Sequence, residues 1–356
     1  MRIAQLAGNV EKVPPDGYGG TELVVSLLTE ELVKRGHEVT LFASGDSRTD
    51  ARLVSVVDKP LRTADDIPKR RWQAYDILAL TRLREMVDQF DIVHNHMGWQ
   101  ALPWAEKFRI PMVTTNHNPV KKYCAPIYMA YKDLNYVAIS EAYRKLNYPD
   151  DLNYVATIYN GIDTNDFAAS PGENGGHANG DDGDRKNLLF IGRICQDKGT
   201  AEAIEFAQRV NMPLVIAGKV DSADQVYFEQ KVKPQLDNTT IKFIGEVSYG
   251  EKIRLYKEAV AVVYPINFEE PFGLVMAEAL AAGAPVLAFK RGSVPELLTD
   301  KETAIVGTTV DDLVARFPET RGISAQACRK RAEMFSKRRM VDAYFGLYER
   351  LIQEQK

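Results

Sequence analysis

The sequence predicts an α/β protein of two Rossmann-like domains, each a parallel sheet covered by helices on both faces, the two facing a cleft. Three observations predict it. Short β-type runs alternate with helical patterns almost throughout, and repeated strand–helix–strand order implies parallel strands. The alternation breaks once, between Phe167 and Lys186, and then resumes. A chain of 356 residues is also long for a single compact core.

The elements follow in order. RIAQLA reads as a strand, a glycine-bearing loop comes next, and TELVVSLLTEELVKRG reads as a helix. Its Leu23, Val24, Leu27, Leu28, Leu32 and Val33 keep helical spacing, with Thr21 as the cap and Gly36 as the stop. HEVTLFA, DIVHN, PMVTT, YVAIS and YVATIY are further strands. The break, AASPGENGGHANGDDGDRK, has almost no apolar content and cannot bury enough surface to fold, so a loop or linker is expected there. Beyond it come NLLFIG, a helix near Ala201 to Val210, PLVIAG, a helix before KFIGE, then AVVYP, PVLAF and AIVG. Met340 to Gln355 reads as a closing helix. The domain limits expected are residues 1–166, a linker over 167–186, a second domain over 187–335 and a C-terminal helix over 336–356. Whether that helix packs back on the first domain is left open.

Composition narrows the class. With 45% hydrophobic and 26% charged residues the chain is of ordinary globular type. A formal charge of -4 gives no global pull toward nucleic acid or an acidic membrane. The basic runs Lys69-Arg70-Arg71-Trp72 and Arg329 to Arg339 read as solvated helix faces, although either can touch anionic lipid. Three widely spaced cysteines, Cys124, Cys195 and Cys328, suggest neither a disulfide framework nor a Cys-x-x-Cys metal site. Neither a signal peptide nor a membrane-length apolar run is apparent, so a reducing cytoplasm is the expected home.

In sheets of this kind ligands bind beyond the carboxyl ends of the strands, and four loops there carry chemistry. Gly17-Tyr18-Gly19-Gly20 precedes a helix, where glycines let a ligand approach the backbone and the helix N-terminus favours an anion; a flexible turn is the alternative. In FIGRICQDKG, Arg193 and Lys198 flank a strand-to-helix corner and would suit a diphosphate. In EEPFGLVMAE, Pro271 suits a helix start, and the amides near Phe272, Gly273 and Leu274 form a second anion site. Carboxylates beside a phosphate would repel it, so Glu270 and Glu278 are assigned to hydroxyls. They lie at most about 12 Å apart if the segment is wholly helical, which suits a sugar at one end and a ribose at the other. The alternative for Glu278 is a buried carboxylate with a core partner. Finally, His94, His96 and His117 come from DIVHNHMGW and TTNHNP, with His94 and His96 on one strand face. Without a nearby fourth ligand, hydrogen-bonding or catalytic roles are favoured over zinc.

Together Gly19-Gly20, Arg193 with Lys198, and the Glu-x7-Glu spacing from Glu270 to Glu278 resemble the retaining family 4 glycosyltransferases of the GT-B fold, among the glycosyl transferases group 1. YNGID at Tyr159 to Asp163 and GSVPELL at Gly292 to Leu298 are also similar to that family, and the likeness spans essentially the whole chain. It implies a nucleotide-diphosphate sugar held by the second domain and an acceptor held by the first. Arg193 and Lys198 would bind the diphosphate and stabilise the leaving group. Glu270 would contact the donor sugar, with the amides of Phe272, Gly273 and Leu274 nearby, and Glu278 would take the ribose diol. Gly19 and Gly20 belong to the loop closing over the phosphates, and His117 matches an active-site histidine near the donor sugar. His96 and Asn118 are placed on the acceptor side. Many relatives have glycine after that histidine, whereas Asn118-Pro119 follows here, so acceptor analogies do not transfer.

The mechanism implied moves a hexose with retained configuration, the departing diphosphate taking the acceptor proton on the same face. No metal and no other cofactor is called for, because two cations and helix amides replace the metal. A UDP-sugar is the favoured donor and a GDP-sugar the second. The acceptor is open among small molecules, lipids and glycans, and no nucleic-acid partner is expected. The acidic DDGD in the break resembles an Asp-x-Asp metal motif, but no rigid strand end presents it. Three other readings compete: a sugar-nucleotide-binding protein without transfer, a nicotinamide-dependent oxidoreductase, and a GT-B phosphorylase or epimerase. The oxidoreductase is weakened because no G-x-G-x-x-G follows the first strand.

Overall fold

A computed structural model describes residues 1–17, 19–146, 151–168 and 185–355. Tyr18 and most of the expected linker, with the acidic run at 181–184, lie outside the described residues. The chain divides into two compact units, Met1–Gly161 with Lys337–Lys356, and Ile162–Ser336.

In the first unit the strands are β1 (Arg2–Leu6), β2 (Glu38–Phe42), β3 (Arg52–Val54), β4 (Ile92–Asn95), β5 (Met112–Thr115), β6 (Asn135–Ala138) and β7 (Tyr154–Thr157). They form one sheet in the order β3-β2-β1-β4-β5-β6-β7, every pairing parallel. Six of these match runs legible in the sequence. The edge strand β3 does not, because three residues are too few to display a period. The first helix runs Gly20–Lys34 and is capped by Gly19 with no side-chain bond, so Thr21 is not its cap. Gly36, at φ 84, supplies the left-handed turn that follows its end.

The last helix, Lys337–Glu354, begins three residues before the expected Met340 and belongs to the first unit. Arg35 Nη1 donates to Asp342 Oδ1 at 2.7 Å, and His37 stacks on Phe345 with ring centres 5.1 Å apart. The other face of this helix buries Tyr344 and Tyr348 against the sheet.

The second unit holds β8 (Asn187–Ile191), β9 (Leu214–Ala217), β10 (Ile241–Gly245), β11 (Ala259–Tyr264), β12 (Val286–Phe289) and β13 (Ala304–Gly307). Their order is β10-β9-β8-β11-β12-β13, again parallel throughout. The inner strands β8, β11 and β12 are buried almost throughout and read as continuous apolar runs, whereas the edge strand β10 alternates buried and exposed residues. Phe190, Phe206, Ile216, Val263, Leu287 and Ile305 form the centre of the core.

Each sheet reverses its winding once. The chain winds outward from β1 to β3 on one side and from β4 to β7 on the other, so the first switch point lies between β1 and β4. The second lies between β8 and β11. Crevices open at such points beyond the carboxyl ends of the strands, and the candidate residues gather there.

Candidate active site

In the second unit, the loop after β8 brings Arg193 and Lys198, and the loop after β11 brings Glu270, Phe272 and Gly273. Two glycines let these backbones meet. A Cβ on Gly199, at φ +75, would lie 1.9 Å from the Pro265 carbonyl oxygen, so only glycine lets the Lys198 corner touch the β11 loop. A Cβ on Gly292, at φ +53, would come within 2.4 Å of the Glu270 backbone nitrogen. The Gly292-Ser293 turn instead braces that loop: Ser293 N donates to Glu270 O at 2.9 Å and Ser293 Oγ to Phe272 O at 2.7 Å.

The two loops place a cation on a buried carboxylate. Lys198 Nζ lies 2.7 Å from Glu270 Oε2, and the Tyr264 hydroxyl donates to the same oxygen. The ammonium also lies 4.6 Å from the centre of the Phe268 ring. Arg193 is held more loosely, 3.8 Å from Asp221 and 3.7 Å from Asp224. The helix Leu274–Ala281 starts behind Gly273, which has φ 80 and leaves the first amides without a side-chain cap.

Glu278 lies two turns along that helix and is 3% exposed. Both its oxygens have partners: Lys252 Nζ at 2.5 Å from Oε1 and the Tyr256 hydroxyl at 2.9 Å from Oε2. The alternative of a core partner therefore describes its present contacts, and burial beside this carboxylate drives the Tyr256 hydroxyl pKa well up. Glu278→Gln is expected to lower the stability of the second unit by about 1–3 kcal/mol by breaking a largely buried pair. Urea denaturation of the full chain checks this; an unchanged midpoint means the pair contributes nothing.

In the first unit the histidines form one hydrogen-bonded group beyond β4 and β5. His94 Nδ1 lies 2.6 Å from the Tyr348 hydroxyl and its Nε2 lies 2.8 Å from Thr115 Oγ1. His96 Nε2 lies 3.0 Å from Gln5 Oε1, and His96 Nδ1 lies 3.0 Å from His117 Nε2. Gln5 Nε2 donates to Tyr348, so its Oε1 accepts from His96. In the neutral relay His96 Nδ1 then accepts from His117, and His117 Nδ1 carries the lone pair. That atom is enclosed and has no hydrogen-bond partner. Burial holds His117 down to about 4, and burial followed by the neighbouring rings holds His96 and His94 well below the usual imidazole value.

His96, His117 and Asn118 border a cavity of about 340 Å³ at the first switch point, which also meets Gly8 after β1 and Glu22 of the first helix. Gly20 opens that helix, and a Cβ on Gly19 would lie 2.7 Å from Pro15. Gly19, Gly20, His96, His117 and Asn118 thus belong to the first unit, whereas Arg193, Lys198, Glu270, Phe272, Gly273, Leu274 and Glu278 belong to the second. Sequence reasoning missed Gln5, Tyr264, Tyr256, Lys252 and Tyr348. Gln5 had a readable signal, a lone amide inside the apolar run RIAQLA; Tyr264 lies six residues from Glu270, and only Tyr348 comes from an element far away in sequence. Among the described residues no group of three or more His, Cys, Asp or Glu is arranged to hold a metal, and no helix is long and apolar enough to cross a membrane.

Comparison with known proteins agrees with both units. Residues 18–166 match the profile described as Glycosyltransferase Family 4, and residues 177–319 match Glycosyl transferases group 1. An uncharacterized glycosyltransferase of Methanocaldococcus jannaschii is 27% identical over 86% of this chain and 84% of its own. Sucrose-phosphate synthase of Thermosynechococcus elongatus superposes with a TM-score of 0.80 at 18% identity, covering 99% of each chain. HepE of Anabaena, solved with UDP and glucose, gives 0.75 at 17% identity over 98% of this chain and 99% of its own. Two parallel-sheet units with both profiles matched in order leave one assignment: the chain belongs to the group 1 glycosyltransferases of family 4 and has the GT-B fold.

Proposed function

We propose that the enzyme transfers a hexose from a nucleotide-diphosphate sugar, with retention, to an acceptor hydroxyl held by the first unit. The observation that carries this reading is the Lys198–Glu270 pair at the second switch point, 2.7 Å apart. A cation that neutralises a buried carboxylate before substrate arrives is a cation stored where a diphosphate would need it. On binding, the diphosphate takes Lys198 and Arg193, and Glu270 is released to accept hydrogen bonds from the donor sugar's hydroxyls. The amino end of the helix Leu274–Ala281, which has no side-chain cap, adds its dipole to the same anion, with the amides of Phe272, Gly273 and Leu274 beside it.

The leaving diphosphate, its charge met by Lys198 and Arg193, departs as the new glycosidic bond forms on the same face, and it takes the acceptor's proton. These fixed charges serve in place of a metal. A UDP-sugar is the favoured donor, supported by the UDP in the HepE structure, with a GDP-sugar second. Glu278 takes the ribose diol, which requires Lys252 or Tyr256 to yield one carboxylate oxygen. By the family resemblance we assign Gly19-Gly20 to the phosphates and His117 to the donor sugar. Free, well-separated cysteines support a cytoplasmic setting.

Isothermal calorimetry with UDP and UDP-glucose, followed by turnover assays, tests the reading. Glu270→Ala is expected to weaken UDP-glucose binding about tenfold while UDP alone changes less, as for loss of charge-assisted bonds to the sugar. Equal affinity of the wild type and the variant for UDP-glucose would remove Glu270 from the donor site. Binding without any turnover, across acceptors, would favour a sugar-nucleotide-binding protein.

A further inference from the structure

The cavity at the first switch point has a polar lining that, His117 apart, the donor chemistry leaves unused. Three of its buried polar atoms lack a hydrogen-bond partner: Asn116 Nδ2, Gln100 Oε1 and His117 Nδ1. Asn116 is only 5% exposed, and its Oδ1 already accepts from the Tyr128 hydroxyl at 3.0 Å, which fixes the amide with Nδ2 unspent. Buried polar atoms of this kind are costly unless something satisfies them. One donor and two acceptors are the complement of hydroxyl groups, each of which both donates and accepts.

The charges of the cavity select among hydroxylated ligands. Asp76 is 6% exposed, and its carboxylate meets neutral amides, Gln100 Nε2 at 3.4 Å and Asn9. Glu22 supplies a second carboxylate to the lining, and among the described lining residues Lys121, itself exposed, is the one cation. A phosphate needs cations or a fork of donors, and here it would face two carboxylates. Trp99 also lines the cavity and adds apolar surface for the C–H groups of a sugar ring.

We infer that this cavity binds the acceptor through an uncharged, polyhydroxylated ring, a sugar or a polyol, and that the carboxylates of Asp76 and Glu22 exclude phosphorylated acceptors. The inference rests on the transferase reading above and adds the acceptor's chemical class to it. Asp76 accepts a hydroxyl proton of the ring, Asn116 Nδ2 donates to a ring oxygen, and Gln100 Oε1 and His117 Nδ1 accept from neighbouring hydroxyls.

Saturation-transfer NMR on the full chain tests it, using glucose, mannose and myo-inositol against glucose 1-phosphate, glucose 6-phosphate and glucosamine, each with and without UDP. The expected result is saturation of at least one uncharged ring and none of either phosphate. Asp76→Asn should weaken that ring at least threefold, and Gln100→Lys, which adds a cation to the lining, should admit glucose 6-phosphate. Phosphates binding as well as uncharged rings, a tenfold preference for glucosamine, binding unaffected by both variants, or no uncharged ring bound would each overturn the inference. Calorimetry with UDP and GDP on the same protein separates the two levels. UDP binding without any uncharged ring refutes the acceptor class alone, whereas a bound ring with neither UDP nor GDP bound refutes the donor reading.

Discussion

Lys198→Ala is expected to lower the transfer rate constant by about 10²–10³-fold, the usual loss when one preorganised charge is taken from a developing anion. The size follows from the setting. The ammonium is 19% exposed and its carboxylate partner 8%, so the pair interacts through a medium of lower dielectric than water. Without Lys198 the buried Glu270 is left with the Tyr264 hydroxyl to meet its charge, and the fold loses stability as well. A partly exposed pair costs less than the roughly 3–5 kcal/mol of a fully buried one. Lys198→Arg separates the two effects, because it restores charge and partner but replaces a compact ammonium with a planar fork. Thermal melting and single-turnover transfer are measured for both variants. A folded Lys198→Ala enzyme within tenfold of wild type would place the leaving-group charge elsewhere.

Much of this site was legible because its motifs depend on local chain geometry. Arg193, Lys198 and the Glu270–Glu278 spacing fall at strand-to-helix corners, and buried parallel strands announce those corners through continuous apolar runs. The partners of these residues were not legible. Tyr264 meets Glu270 from the end of β11, Lys252 and Tyr256 meet Glu278 from the helix Tyr249–Glu258, and each depends on how a helix or loop packs on its sheet. Glu278 shows the difference well. From sequence it was a charge in an apolar helix that called for a ligand; in the fold it is satisfied internally before any ligand arrives. The histidines divide the same way. Their common strand face followed from period 2, but the order of the relay depends on Gln5 in β1 and on Tyr348, 254 residues beyond His94.

That relay predicts an acid-sensitive first unit. The unfolded chain takes up protons on His94, His96 and His117 near pH 6.5, whereas in the fold burial holds His117 down to about 4 and holds the other two well below their ordinary value. Over that interval the unfolded state binds more protons, so stability is fully present above about pH 6.5 and is lost as the pH falls toward 4. Each histidine contributes up to about 1.4 kcal/mol per pH unit, and three of them near 4 kcal/mol per unit. Asp76 and Glu22 act in the opposite sense, since burial raises their carboxyl pKa values and favours the folded state as they protonate. They offset part of the slope at the lower end of the interval. All described histidines, His37 included, belong to the first unit, so the loss is local. Native-state hydrogen exchange at pH 7.5 and 5, corrected for intrinsic rates, should show β4 and β5 losing protection while β8 and β11 keep theirs. No loss in either sheet would mean the histidines are already charged in the fold, and equal loss in both would mean the two units open together rather than locally. Protonation of His117 Nδ1 also converts the cavity's lone-pair acceptor into a donor, so acceptor binding should weaken over the same pH range, before the unit unfolds.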